Sequence, residues 1–133
     1  MYVHPTAEQF EALSDVDPDQ PIVMLNLLRF ADQANPGFGC DDMTGHQAYT
    51  EYGRRLMAMG DRFPAKPFWA GEAHATVIGP TDERWDQVIL VHYDSVGAFL
   101  GMVADPEYQA AAKARDAAIA DSRLVLMHQT HGG

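Results

Sequence analysis

The sequence predicts an α+β fold, with one four-stranded antiparallel sheet and helices on one of its faces. Three observations carry it. Apolar runs of strand length and segments of helical periodicity follow one another in the order strand, helix, strand, strand, helix, strand. The second and third strands, 68–78 and 86–93, are separated by a short segment containing Pro80, which makes them a hairpin. The first, Ile22–Phe30, is apolar on both alternating faces, so both must be covered. This order is the split βαβ pattern of ferredoxin-like folds. Right-handed crossovers put the first and third strands in the centre, flanked by the fourth and second.

The elements follow in order along the chain. Thr6 and Gln9 have capping-box spacing and open a helix over 6–13, with Phe10 and Leu13 as a small apolar edge. The segment 15–21 holds three aspartates and two prolines and is expected to turn. In Ile22–Phe30, Ile22, Met24, Asn26, Leu28 and Phe30 share one face, and Val23, Leu25, Leu27 and Arg29 the other. Helices can cover only one of these faces. A second copy of the chain is the simplest cover for the other. Residues 31–43 are rich in Gly, Asn and Asp and read as a long exposed loop. Thr44 with Gln47 is a second capping box, opening a helix to about Met59 whose inner stripe is Tyr49, Tyr52, Leu56 and Met59.

Pro64 and Pro67 precede the hairpin. Ser95 can cap a short helix carrying Phe99, Leu100 and Val103. Asp105 can cap the next, with Pro106 at its first position, where a missing N–H costs nothing. That helix is expected to reach about Ala120, with Tyr108, Ala111, Ala112, Arg115 and Ile119 along one side. The last strand is 123–129. The whole of 1–133 is one domain, in which 1–21 is an N-terminal helix and turn extension. The open sheet face, with Val88, Leu90, Leu124 and Leu126 or their alternates, is expected to make an isologous homodimer.

Composition excludes several function classes. The chain is 47% hydrophobic and 21% charged, ordinary for a folded domain. Its net charge of −10 works against a phosphate backbone, so no nucleic-acid partner is expected. No apolar run has the length of a membrane span, and no membrane partner is expected. A single cysteine, Cys40, cannot close an intramolecular disulfide, which fits a cytoplasmic setting. Cys40 precedes Asp41 and Asp42, whose charge disfavours a thiolate, so it reads as an inert loop thiol. Gly-rich phosphate loops, nucleophile elbows and His-Glu-x-x-His are missing from the sequence, and no metal, flavin or nicotinamide cofactor is expected.

Two constellations deserve chemistry. If Pro80 faces Asp86 in the hairpin, His74 falls opposite His92 with Glu72 on the same face, a set that could ligate zinc or iron. One slip of register separates them, and half-buried strand histidines are the plainer reading. The second is Arg115. It occupies a helix stripe otherwise built of apolar and small residues, and an unpaired guanidinium is costly to bury. Tyr49 and Tyr52 project from the facing helix. Arg115, Tyr49, Tyr52, Tyr108, Asn26 and Trp69 around a space under the helices would suit an aromatic or carbonyl compound bearing a carboxylate. The bland alternative is Arg115 paired with an Asp or Glu of its own chain. For Asn26 it is an amide bonded to its neighbours in the core, and for Trp85 a packing anchor.

An ordered set of short motifs points to a family. It comprises Asn26-Leu27-Leu28-Arg29-Phe30, Thr44-Gly45-His46-Gln47-Ala48-Tyr49 leading to Tyr52-Gly53, Trp85-Asp86, Tyr93-Asp94-Ser95, Asp105-Pro106-Glu107-Tyr108 and the run from Arg115 to Leu124. From Ile22 to Gln129 the chain resembles the domain-of-unknown-function family 1330, of the dimeric α+β barrel superfamily. The resemblance implies a ferredoxin-like subunit whose sheet packs face to face with its twin, and it supplies no reaction. Two departures are the long 31–43 segment and Asp94, where family members usually carry proline. Relatives at superfamily level include isomerases, decarboxylases and monooxygenases without a bound organic cofactor, and haem-degrading enzymes using an Asn, a Trp and a His. By that analogy the chain is a small enzyme of isomerase, lyase or monooxygenase type. A non-catalytic binding or sensing dimer, and a structural dimer without ligand, stay open beside it.

Overall fold

The computed structural model describes residues 1–132. Its elements are α1 (Ala7–Ala12), β1 (Ile22–Phe30), α2 (Gly45–Met57), β2 (Lys66–Glu72), β3 (Gln87–Tyr93), α3 (Val96–Ala104), α4 (Pro106–Ala118) and β4 (Ile119–Met127). The sheet is antiparallel in the order β2-β3-β1-β4, the order expected from handedness. The caps form where the sequence places them. Thr6 and Gln9 exchange bonds of 3.1 and 3.0 Å, Thr44 and Gln47 bonds of 3.1 and 2.9 Å. Ser95 Oγ accepts from Ala98 N, and Asp105 Oδ1 from Glu107 N beside Pro106. Each accepts from N–H groups that have no partner inside the helix.

Five expectations need correction. β2 ends at Glu72 rather than residue 78. Its pairing with β3 stops at Glu72 opposite Gln87, with one further bond from Ala73 N to Asp86 O. Val77 and Ile78, whose β-branched side chains favour a strand, are 93% and 94% exposed, so no packing holds them in one. β4 begins at Ile119, directly after α4, and α4 ends at Ala118 instead of Ala120. Asn35 explains that stop: its side-chain nitrogen donates to Asp116 O and Ile119 O, and its backbone N to Ala117 O. The 31–43 segment is therefore not simply exposed. It closes over the end of α4, burying Ala34 and Cys40 in the core. Finally, Ala111, Ala114, Ala117 and Ala118 are the buried side of α4, and Tyr108, Ala112 and Arg115 flank it half-buried.

Face assignment follows from register. Met24, Asn26 and Leu28 lie opposite Leu126, Leu124 and Ser122 on β4, and opposite Val91, Ile89 and Gln87 on β3. All of these face the helices. The open face carries Leu25, Leu27, Val88, Leu90, Val125 and Met127, so Leu124 and Leu126 belong to the other side and their alternates to this one. Under the helices the core is divided. One cluster gathers Leu28, Ala48, Tyr52, Ala114 and Ile119; the other gathers Ile22, Met24, Tyr93, Val96 and Met102. Tyr108 touches both. The site lies between them.

Candidate functional site

Between the two clusters runs a cleft of about 1190 Å³. Its floor is the sheet at Asn26, Ile89, Leu124 and Leu126, and α2 and α4 wall it with Tyr49, Tyr52, Tyr108 and Arg115. Of the α4 alanines, Ala112 lines the cleft, while Ala111, Ala114, Ala117 and Ala118 are buried beside it. Arg115 sits at one end. Its Nη1 donates to Val3 O at 3.0 Å and its Nη2 lies 3.5 Å from Ser122 Oγ. Among the described residues no carboxylate is within ion-pair distance of it. Two of its five N–H donors are thus used, and by neutral acceptors.

The phenols form a chain. Tyr49 and Tyr52 have ring centroids 5.4 Å apart, and the Tyr52 and Tyr108 hydroxyls are 2.9 Å apart. Burial pushes Tyr49 up to about 12, although the nearby Arg115 charge pulls the other way. Burial first, then Tyr108, raises Tyr52 well above the ordinary phenol value. Both are therefore neutral hydrogen-bonding groups across the physiological range, not bases. The guanidinium is the charged group beside these phenols, and Asp116 and Arg123 also line the cleft. Asn26 Nδ2 makes two long bonds, 3.4 Å each, to Met24 O and Ile89 O.

Of the six expected site residues, five meet in this cleft: Arg115, Tyr49, Tyr52, Tyr108 and Asn26. Trp69 does not. A bulge between Pro67 and Trp69 sets Trp69 opposite Leu90, on the open face, where its indole lies over Gly71. The Glu72, His74 and His92 set is also dispersed. His92 pairs with Lys66, at the far end of β2 from Glu72, while His74 lies past the strand end. The bulge and the early end of β2 give a register different from the one that would align the histidines. Among the described residues no three His, Cys, Asp or Glu side chains converge. Glu72 instead lines a separate hollow of about 490 Å³ with His46 and Asp86. Asp86 is structural there: its Oδ2 accepts from Phe30 N at 2.8 Å.

Sequence reasoning missed the N-terminal arm. Tyr2 to Pro5 run along the cleft edge beside β4. Tyr2 N donates to Asp121, Ser122 Oγ donates to Tyr2 O at 2.7 Å, and Arg123 lies over the Tyr2 and Trp85 rings at 4.8 and 5.0 Å. His4 Nε2 is 3.1 Å from Asp116 Oδ1, which places an imidazole oriented by a carboxylate in the cleft lining. Nothing local in 1–5 signals these contacts, because every partner is more than a hundred residues away in sequence.

The family model described as "Domain of unknown function (DUF1330)" matches residues 40–130. No curated protein sequence matches the chain. Among solved structures, the chain is 39% identical to a protein of unknown function from Rhodopseudomonas palustris, with 98% of both chains covered and a TM-score of 0.88. It is similar in fold to a hydroxynitrile lyase from Passiflora edulis, at 15% identity, TM-score 0.60, covering 87% of this chain and 99% of that one. It is also similar to a dimeric ferredoxin-like protein of unknown function from Bacteroides fragilis, at 12% identity, TM-score 0.54, covering 85% and 100%. These two show the fold.

Proposed function

We propose a function from the premise that this chain belongs to the family described as "Domain of unknown function (DUF1330)": its cleft binds a small organic carboxylate, held by Arg115. One observation carries this reading, a guanidinium in a cleft wall with no carboxylate partner among the described residues and neutral phenols beside it. A charge-assisted contact to a carboxylate contributes about 1.5–3 kcal/mol. Asp116 in the lining faces His4 at 3.1 Å, and the more distant acidic residues are screened beyond ~8 Å at physiological ionic strength. For turnover without a cofactor, His4, oriented by Asp116, would take a proton from the substrate and return it to the product. The hydroxynitrile lyase of similar fold is a precedent for chemistry on this scaffold and assigns none here. The raised values of Tyr49 and Tyr52 favour a second reading, a non-catalytic binder, because they keep both phenols protonated.

Screening aromatic and 2-oxo carboxylates by thermal shift tests the site. The parent is expected to be stabilised by at least one of them, and Arg115→Met, which keeps the stem, to bind it at least tenfold more weakly while folding normally. If no carboxylate stabilises the parent and the variant simply melts lower, Arg115 is a structural tie to Val3. Consumption of the ligand separates an enzyme from a binder.

Assembly is part of the same proposal. Leu25, Leu27, Val88, Leu90, Val125 and Trp69 make a continuous apolar face with no helix over it, and Trp69 and Val125 are 53% and 46% exposed in the single chain. Such a face is uncommon on a monomer. An isologous homodimer burying ~1,600 Å² or more is the expected state in light scattering, and a monomer at micromolar concentration defeats it.

A further inference from the structure

We infer that the ligand is an amphipathic monocarboxylate whose apolar chain extends along the sheet away from Arg115, a refinement that rests on the cleft reading above. The two ends of the cleft differ in chemistry. Arg115, Ser122 and the Tyr2 and Val3 carbonyls make one end polar. Moving along the sheet, the next rung is Leu124, Asn26 and Ile89, and the one after is Leu126, Met24 and Val91. Beyond them the lining continues with Phe63 and Phe99. Polarity thus falls off in one direction.

Leu124 is the residue that argues for a ligand here. It faces the helix layer, where a leucine is ordinarily packed, yet it is 47% exposed. Leu124 belongs to neither cluster of the divided core, although Ile89 on the same rung packs against one of them. An alkyl chain would complete the core that the protein leaves open, contacting Leu124 and Leu126 on one side and Ile89 and Val91 on the other. From Ser122 to Leu126 is four residues of extended chain, about 13 Å, the span of an extended tail of roughly ten carbons. Three N–H groups of Arg115 remain for the carboxylate without displacing Val3.

The test is a homologous series on the full chain, read by titration calorimetry: butanoate, hexanoate, octanoate and decanoate, with benzoate and decanol as controls. Affinity is expected to rise about three- to fourfold per added methylene up to decanoate. Decanol should bind at least tenfold more weakly than decanoate. Leu124→Trp, which fills the gap from a position already facing it, should flatten the series. Benzoate binding as well as decanoate, or an unchanged series in Leu124→Trp, overturns the extended tail and leaves the anion cleft standing. Decanol binding as well as decanoate overturns the carboxylate assignment. If no acid in the series nor benzoate binds, the cleft reading itself fails.

Discussion

Gly45→Ala is expected to destabilise the fold by about 3 kcal/mol or more, lowering the melting temperature by at least roughly 10 °C. A Cβ at Gly45 would stand 2.0 Å from Ala31 O, 2.7 Å from Ala31 N and 2.8 Å from Ala118 O. All three are backbone atoms, so no side chain can rotate away. Here the first turn of α2 meets both the exit of β1 and the end of α4: Gly45 N donates to Ala31 O, and Ala31 N donates to Ala118 O. Opening that junction would disturb the closure over α4 that buries Ala34 and Cys40. Gly53 in the same helix is the control. Among the described residues outside its own stretch of helix, nothing lies within 4 Å of its added Cβ, so Gly53→Ala should be neutral or stabilising by up to ~1 kcal/mol. Equal behaviour of the two variants in thermal melts would refute the junction.

Alkaline pH is expected to unfold the protein through its buried phenols. Tyr49 is pushed by burial to about 12, and burial drives Tyr52 and Tyr93 in the same direction. In the unfolded chain these groups lose their protons near pH 10. Above that pH the unfolded state binds fewer protons than the native one, so stability falls as pH rises. The contribution is fully present below about pH 10 and lost progressively toward about pH 12, on the order of 3 kcal/mol for Tyr49 alone. Denaturant midpoints measured across that window should fall steeply for the parent and less steeply for Tyr49→Phe. Identical slopes would show that Tyr49 ionises without cost in the native state.

Much of the fold was legible because local rules and the global arrangement agree. β1 has its expected bounds, the four helix caps form where Thr6, Thr44, Ser95 and Asp105 place them, and the strand order follows from handedness. Strand pairing was not legible. The early end of β2 and the bulge at Pro67 to Trp69 depend on which β3 atoms are free to bond, and periodicity carries no information on that. Trp69 left the site for this reason alone, since a shift of one residue moves a side chain to the other face.

For the site, the sequence by itself determined that Arg115 would share a helix side with Tyr108 and Ala112 and meet phenols from α2, because a helical period and a known sheet face suffice for that. Only the tertiary structure decided what Arg115 touches. Its acceptors are a backbone oxygen of Val3 and the hydroxyl of Ser122, brought beside it by an arm from the opposite end of the chain. It also decided that the core divides and leaves Leu124 uncovered. Long-range packing is a property of volumes and distances between elements, and a one-dimensional pattern records which residues are apolar, not how much space they leave.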